Sequence, residues 1–179
     1  MSASIPVFYD CEATSIGGMP IEIGWADPYT ESIRSEARLI RPPAHWDIES
    51  LWDTSAENLH NISRGMLARS GCPAFVVARR MNAVLSGHEL FSDAPNEDER
   101  WLRILFDEAG GDPAFTIRRL HADELIGSLA VARGWNLAAY ETTKDNVARL
   151  APRTHRAEAD ARHLALLWRT VSLGAPIPV

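Results

Sequence analysis

A chain of 179 residues, 46% hydrophobic and 23% charged, has the make-up of one ordinary globular domain with a sizeable core. Its formal net charge of −6 argues against tight, sequence-blind binding to long duplexes, which depends on neutralising many phosphates. No apolar run approaches the ~20 residues of a membrane span, and Met1-Ser2-Ala3-Ser4 lacks the basic start and apolar stretch of a signal peptide, so the expected location is cytoplasmic. Cys11 and Cys72 belong to no Cys-x-x-Cys pair and are expected to be buried thiols.

Ile5, Val7, Phe8 and Tyr9 have the β-branched and aromatic character of a buried strand, which runs into Asp10-Cys11-Glu12 and is ended by Gly17-Gly18. Alternate strand side chains share a face, which places the acids at 10 and 12 side by side, about 7 Å apart along the strand. Two such acids at the edge of a core repel each other, and burial raises their pKa values unless a cation is present. Asp-x-Glu at a strand end therefore points to a divalent metal. Taken alone, the fragment fits a strand that simply becomes solvated better than it fits a metal site.

Ile21, Ile23 and Trp25 alternate with Glu22, Gly24 and Ala26, which predicts a second, half-buried strand closed by Asp27-Pro28. Ser32 to Ile40 continues in extended style until Arg41-Pro42-Pro43, so three strands form an antiparallel meander. Residues 44–53 have no clear period and read as a loop, with Trp46 and Trp52 available to stack on bases; Trp25, Trp101 and Trp168 fall on apolar stripes and read as core. Helical spacing begins at Thr54. Ser55 is the expected cap of a short helix through Leu59, and Ser63 the cap of another through Arg69 that Gly71 stops. Pro73 opens a helix with the stripe Ala74, Val77, Ala78, Met81 and Leu85. After a short strand, Glu89 to Ser92, Asn96 caps a helix with Trp101, Leu102, Leu105, Phe106 and Ala109 inward, closed by Gly110-Gly111.

Phe115 to Leu120 reads as a fifth strand. A helix from Ala122 carries Leu125, Leu129 and Ala132 inward and ends at Gly134. Thr143 begins a short helix that Pro152 terminates, and Thr154 caps the last, with Leu164, Leu167, Trp168 and Val171 on its apolar side until Gly174. The order predicts a single α/β domain over residues 1–174, with a mixed sheet of about five strands flanked by helices, and an extended tail over 175–179.

The second informative stretch is His155-Arg156-Ala157-Glu158-Ala159-Asp160. Asp160 follows Ala157 by three residues and shares its helix face, where a small side chain leaves room for a ligand. His155 is about 140° out of phase with Asp160 on a continuous helix, so it must swing in from the cap region to meet the same site. Histidine titrates near pH 6.5, which suits a base acting on water at neutral pH. In isolation the fragment fits a helix-start histidine, packed or solvated beside a surface aspartate, better than it fits a site.

Together, Asp10-Cys11-Glu12 on a first strand and His155-x-Ala157-x-x-Asp160 at the final helix resemble the DEDDh family of 3′-to-5′ exonucleases, which includes ribonuclease T, oligoribonuclease and polymerase proofreading subunits. The resemblance covers nearly the whole chain and implies a ribonuclease-H-like fold. It further implies four acidic ligands for two magnesium or manganese ions, with a histidine base acting on water. The resemblance implies that His155 is that base and that Asp10, Glu12 and Asp160 are three of the ligands. The family's third acid precedes an aromatic by three residues, and Asp98, with Trp101 and Leu102 at +3 and +4, takes that place; Asp93 and Glu97 compete for it. His60-Asn61-Ile62-Ser63 is similar to the family's His-Gly-Ile-Thr element, and Ala13-Thr14-Ser15 stands where relatives carry Thr-Thr-Gly. This implies contacts of Ala13, Thr14, His60 and Arg156 with substrate. The expected product is a nucleoside 5′-monophosphate cut from the 3′ end of a short single strand of RNA or DNA, and relatives of this size often form homodimers. The altered middle motif favours a second account, a catalytically weak module that binds nucleic acid or a protein partner through the same cleft.

Overall fold

A computed structural model describes residues 5–28 and 32–174. The expected tail over 175–179 lies outside the described residues. Three strands, β1 (Pro6–Ala13), β2 (Pro20–Asp27) and β3 (Arg34–Leu39), form the predicted antiparallel meander. The chain then passes through α1 (Ile48–Leu51), α2 (Thr54–His60), α3 (Arg64–Ser70) and α4 (Ala74–Leu85) before β4 (Glu89–Phe91) pairs parallel to β1. After α5 (Pro95–Ala109), the two-residue β5 (Thr116–Ile117) pairs parallel to β4. The chain closes with α6 (Ala122–Ala132), α7 (Leu137–Leu150) and α8 (Ala157–Leu173). The sheet order is β3-β2-β1-β4-β5, the mixed, helix-flanked architecture that the strand order predicted.

The alternation of β1 decides what each layer contains. Val7, Tyr9 and Cys11 face α4 and α5, where Val77, Met81, Leu102 and Leu105 complete one core. Phe8 faces the other side, packing with residues of α6, α7 and α8 such as Ile126, Val147, Ala161 and Leu164. Asp10 and Glu12 follow Phe8 on this second face, beyond the apolar core.

Several elements differ from their sequence reading for identifiable reasons. β2 is buried along all but its last residue, not half buried, because α8 covers its polar face. Asp53 rather than Ser55 caps α2, and Pro95 occupies the first turn of α5 ahead of Asn96. α7 starts well before Thr143, at the Asn136 cap. Its inward residues include the polar Thr143 and Asn146, and Thr143 satisfies its hydroxyl on the Ala139 carbonyl at 2.9 Å, so an apolar stripe does not announce it. On α6 the fully buried line is Ala122, Ile126 and Ala130, with Ala132 exposed; one residue of shift turns a helix by about 100°. Residues 44–53 contain the short α1, and neither tryptophan there is open for stacking. Trp46 is in the core, while Trp52 donates its indole N–H to Glu57 at 2.7 Å and lies under Arg64, 4.9 Å from its ring. Cys11 is buried as expected, but Cys72 is only partly so.

Candidate metal centre

Acids from three elements, β1, α5 and α8, and from the turn between β4 and α5 meet at the end of β1. Ligand oxygens of Asp10, Glu12 and Asp160 lie within 4.8 Å of one another, and so do those of Asp10, Asp93 and Asp98. Asp10 belongs to both groups. Its Oδ2 is buried and has no hydrogen-bond partner among the described residues, an arrangement whose cost a bound cation would remove.

Burial raises the Asp10 carboxyl well above the ordinary range, with Asp98, Glu12, Asp160 and Asp93 adding to it. Burial and the neighbouring Asp160, Glu22 and Asp98 push Glu12 up to about 8, against a smaller opposing pull from Arg156. Asp98 is pushed up to about 7, again chiefly by burial, although hydrogen bonds from Ser92 and the Cys11 amide hold it back. Without metal these acids therefore take up protons on folding. Their stabilising contribution is complete below the carboxylate range of the unfolded chain, near pH 4, and disappears as pH rises through about 7–8. In chelator, the melting temperature is expected to fall between pH 5 and pH 8, by roughly 2–4 °C for each kcal/mol lost, and Mg2+ or Mn2+ should restore it at pH 8. A melting curve with the same pH dependence with and without the cation would contradict this.

The local supports differ from acid to acid. Asp98, 1% exposed in the first turn of α5, accepts from the Cys11 amide at 3.2 Å through Oδ1 and from the Ser92 hydroxyl through Oδ2. Glu97, its competitor, points elsewhere: it pairs with Arg100 and belongs to neither acid group. Asp93 does join the centre, where it is ion-paired with Arg153.

α8 owes its placement to two residues of β2 that the sequence reading passed over. Glu22, opposite Glu12 in the sheet register, is 2% exposed. It accepts from the Ala157 amide at 3.0 Å and from Arg156 through Nε at 3.0 Å and Nη2 at 2.5 Å. The expected cap, Thr154, does not cap α8: the helix has no side-chain cap of its own, and this distant carboxylate takes over the role. Gly24, opposite Asp10, lets the backbone of Ala157 rest directly on the strand. The space beside Ala157 is thus filled by β2 rather than left for a ligand. Replacing Glu22 by Ala is expected to cost about 1–3 kcal/mol, since it strands a helix amide and a guanidinium, measurable as a lower urea midpoint.

Asp160, 7% exposed, accepts the Thr154 amide at 2.9 Å. The segment before α8 is therefore tied at Thr154 to Asp160 and at Arg156 to Glu22. His155 stands between the two ties, exposed, at φ 52°, and outside the helix, as the phase argument required. Its ring makes no hydrogen bond or ion pair among the described residues, and it is not part of either acid group.

The four substrate-contact candidates are all near this end of the sheet and mostly enclosed. Ala13 is 6% exposed and Thr14 1%, its hydroxyl accepting from the Met19 amide at 3.0 Å. His60, 2% exposed, accepts from the Ile62 amide at 2.9 Å through Nδ1, and burial holds its pKa below the ordinary value. Arg156 spends Nε and Nη2 on Glu22 and keeps a side chain that is 38% exposed.

No family model and no curated protein sequence matches the chain. Among solved structures it is similar to E. coli exonuclease I in its zinc-bound complex with single-stranded DNA, with a TM-score of 0.63 and 13% identity over 94% of this chain and 40% of that one. The apo form of exonuclease I gives a TM-score of 0.64 at 13% identity, over 93% and 42%. Exonuclease X in complex with 5′-overhanging duplex DNA gives 0.54 at 16%, over 97% and 94%. The chain thus spans about two-fifths of exonuclease I and nearly all of exonuclease X, and it shares their fold.

Proposed function

We propose that the protein is a metal-dependent 3′-to-5′ exonuclease that trims single-stranded RNA or DNA to nucleoside 5′-monophosphates. The observation that carries this reading is the meeting of Asp10, Glu12, Asp98 and Asp160 around a buried carboxylate oxygen with no hydrogen-bond partner among the described residues. The shared fold of exonuclease I and exonuclease X supports it.

Asp10, Glu12, Asp98 and Asp160 would hold two magnesium or manganese ions, which would supply the positive charge that lets these acids ionise together and would stabilise charge on the cleaved phosphodiester. The chain's own residues do the rest. His155 accepts the proton of the attacking water as the new oxygen–phosphorus bond forms. The bond from phosphorus to the 3′ oxygen breaks, that oxygen takes a proton from solvent water while His155 returns its own to solvent, and the mononucleotide leaves with a 5′-phosphate. Glu22 and the Thr154–Asp160 hydrogen bond hold the histidine segment over the acids. Ala13, Thr14 and His60 form the floor under the terminal nucleotide, and Arg156 presents its remaining Nη1 to a phosphate while it grips Glu22.

The test is incubation with 5′-end-labelled oligonucleotides in Mg2+, Mn2+ or chelator. A ladder shortening from the 3′ end in metal alone is the expected result. Retention of the oligonucleotide without cleavage in either metal would overturn the reading in favour of a binding module.

A further inference from the structure

Four acids account for the proposed centre, yet five carboxylates are gathered there. The fifth, Asp93, lies in the turn between β4 and α5, one residue after the Ser92 that holds Asp98. Asp98 is fixed by its bonds to Ser92 and Cys11. Asp93 has a ligand oxygen in the same 4.8 Å group as Asp10 and Asp98, but its own hydrogen-bond partner is Arg153, on the segment that leads to His155. Among the described residues, Asp93 is the only acid of the two groups in an ion pair. The other arginine close by, Arg156, is committed to Glu22. The side chains of Arg153 and Asp93 are 36% and 20% exposed, so water reaches the pair and its exchange costs little desolvation.

One guanidinium and the unpartnered Oδ2 of Asp10 thus flank the same Asp93 carboxylate, whose charge both Arg153 and a cation held at Asp10 would draw on. Arg153 neutralises Asp93 here, and a divalent ion held by Asp10 and Asp98 would attract the same carboxylate and weaken its hold on the arginine. We propose that Asp93 is a fifth acidic ligand of the centre and that Arg153 competes with the metal ion for it. The proposal rests on the metal-dependent reading above and adds to it a residue outside the four-acid set.

The competition has a sign that an architectural strap would not have. Removing a strap loosens the segment and weakens or leaves unchanged the binding of metal, whereas removing a competitor strengthens it. Titration of the full chain with Mn2+ by calorimetry, without substrate, reads the difference directly. Arg153→Gln is expected to bind Mn2+ about 3–10-fold more tightly than the unaltered protein, in line with the modest worth of an exposed ion pair. Asp93→Asn is expected to bind about tenfold more weakly, and adding Arg153→Gln to it should bring no gain, since the two changes act through one carboxylate. Circular dichroism confirms that each variant is folded, and Arg153→Lys, which keeps the charge, should stay near the unaltered affinity. Unchanged or weaker binding in folded Arg153→Gln, or a full gain in the double variant, would overturn the proposal while leaving the four-acid centre standing. Failure of the unaltered protein to bind Mn2+ at all would overturn both.

Discussion

Replacing His155 by Ala is expected to slow oligonucleotide hydrolysis by about 10²–10⁴-fold while Mn2+ binding and the melting temperature stay close to those of the unaltered protein. The separation of effects follows from its surroundings. The imidazole is exposed and has no partner among the described residues, so nothing in the fold depends on it. It is also outside both groups of acids that can hold a metal, so their affinity does not depend on it either. Its backbone sharpens the experiment. At φ 52° any residue with a Cβ is strained, so His155→Gly should remove the base and relieve that strain at once. The glycine variant should therefore be as inactive as the alanine variant and no less stable. Imidazole added to the buffer should recover part of the rate in both. Single-turnover rates under saturating Mn2+ measure this, and near-normal hydrolysis in either variant would remove His155 from the chemistry.

The two acids of β1 and Asp160 of α8 could be placed on their elements from the sequence because each element has a clear period, while pairing them in one site came from the family resemblance. Strand alternation put Asp10 and Glu12 on the face of Phe8, and the apolar stripe of α8 announced its helix, if not the cap. The residues that bring those elements together left no such trace. Glu22 looked like the solvated side of a half-buried strand, because nothing local shows that a helix start more than 130 residues later will need its carboxylate. The cap of α8 was sought at Thr154 for the same reason: capping rules look to neighbours in sequence, and here the acceptor is tertiary. Sequence alone makes Asp93 and Asp98 alternatives, whereas the turn after β4 and the start of α5 bring both to the same group. α7 was cut short because its inward residues Thr143 and Asn146 are polar. Local periodicity thus placed the acids on their elements, and long-range hydrogen bonds brought those elements together.

Gly24 offers the largest expected effect on the fold of any single methyl group at the site. A Cβ there would lie 2.3 Å from the carbonyl carbon of Ala157 and 2.4 Å from the amide of Glu158, both backbone atoms that cannot rotate away. Either β2 or the first turn of α8 must move, and overpacking of this kind costs about 1–3 kcal/mol. Moving α8 outward also carries Asp160 away from Asp10 and Glu12, because Asp160 rides on the same first turn as Ala157. Gly24→Ala is therefore expected to lower the melting temperature by several degrees and to weaken Mn2+ binding at least tenfold. Gly17→Ala is the matched control: a Cβ at that position meets nothing within 4 Å, so the same change of residue type should leave both quantities nearly unaltered. Thermal melts and calorimetric titration of the two variants side by side decide the matter. Equal behaviour of Gly24→Ala and Gly17→Ala would mean that the helix start has room to spare, and that the approach of α8 to β2 does not set the position of the fourth acid.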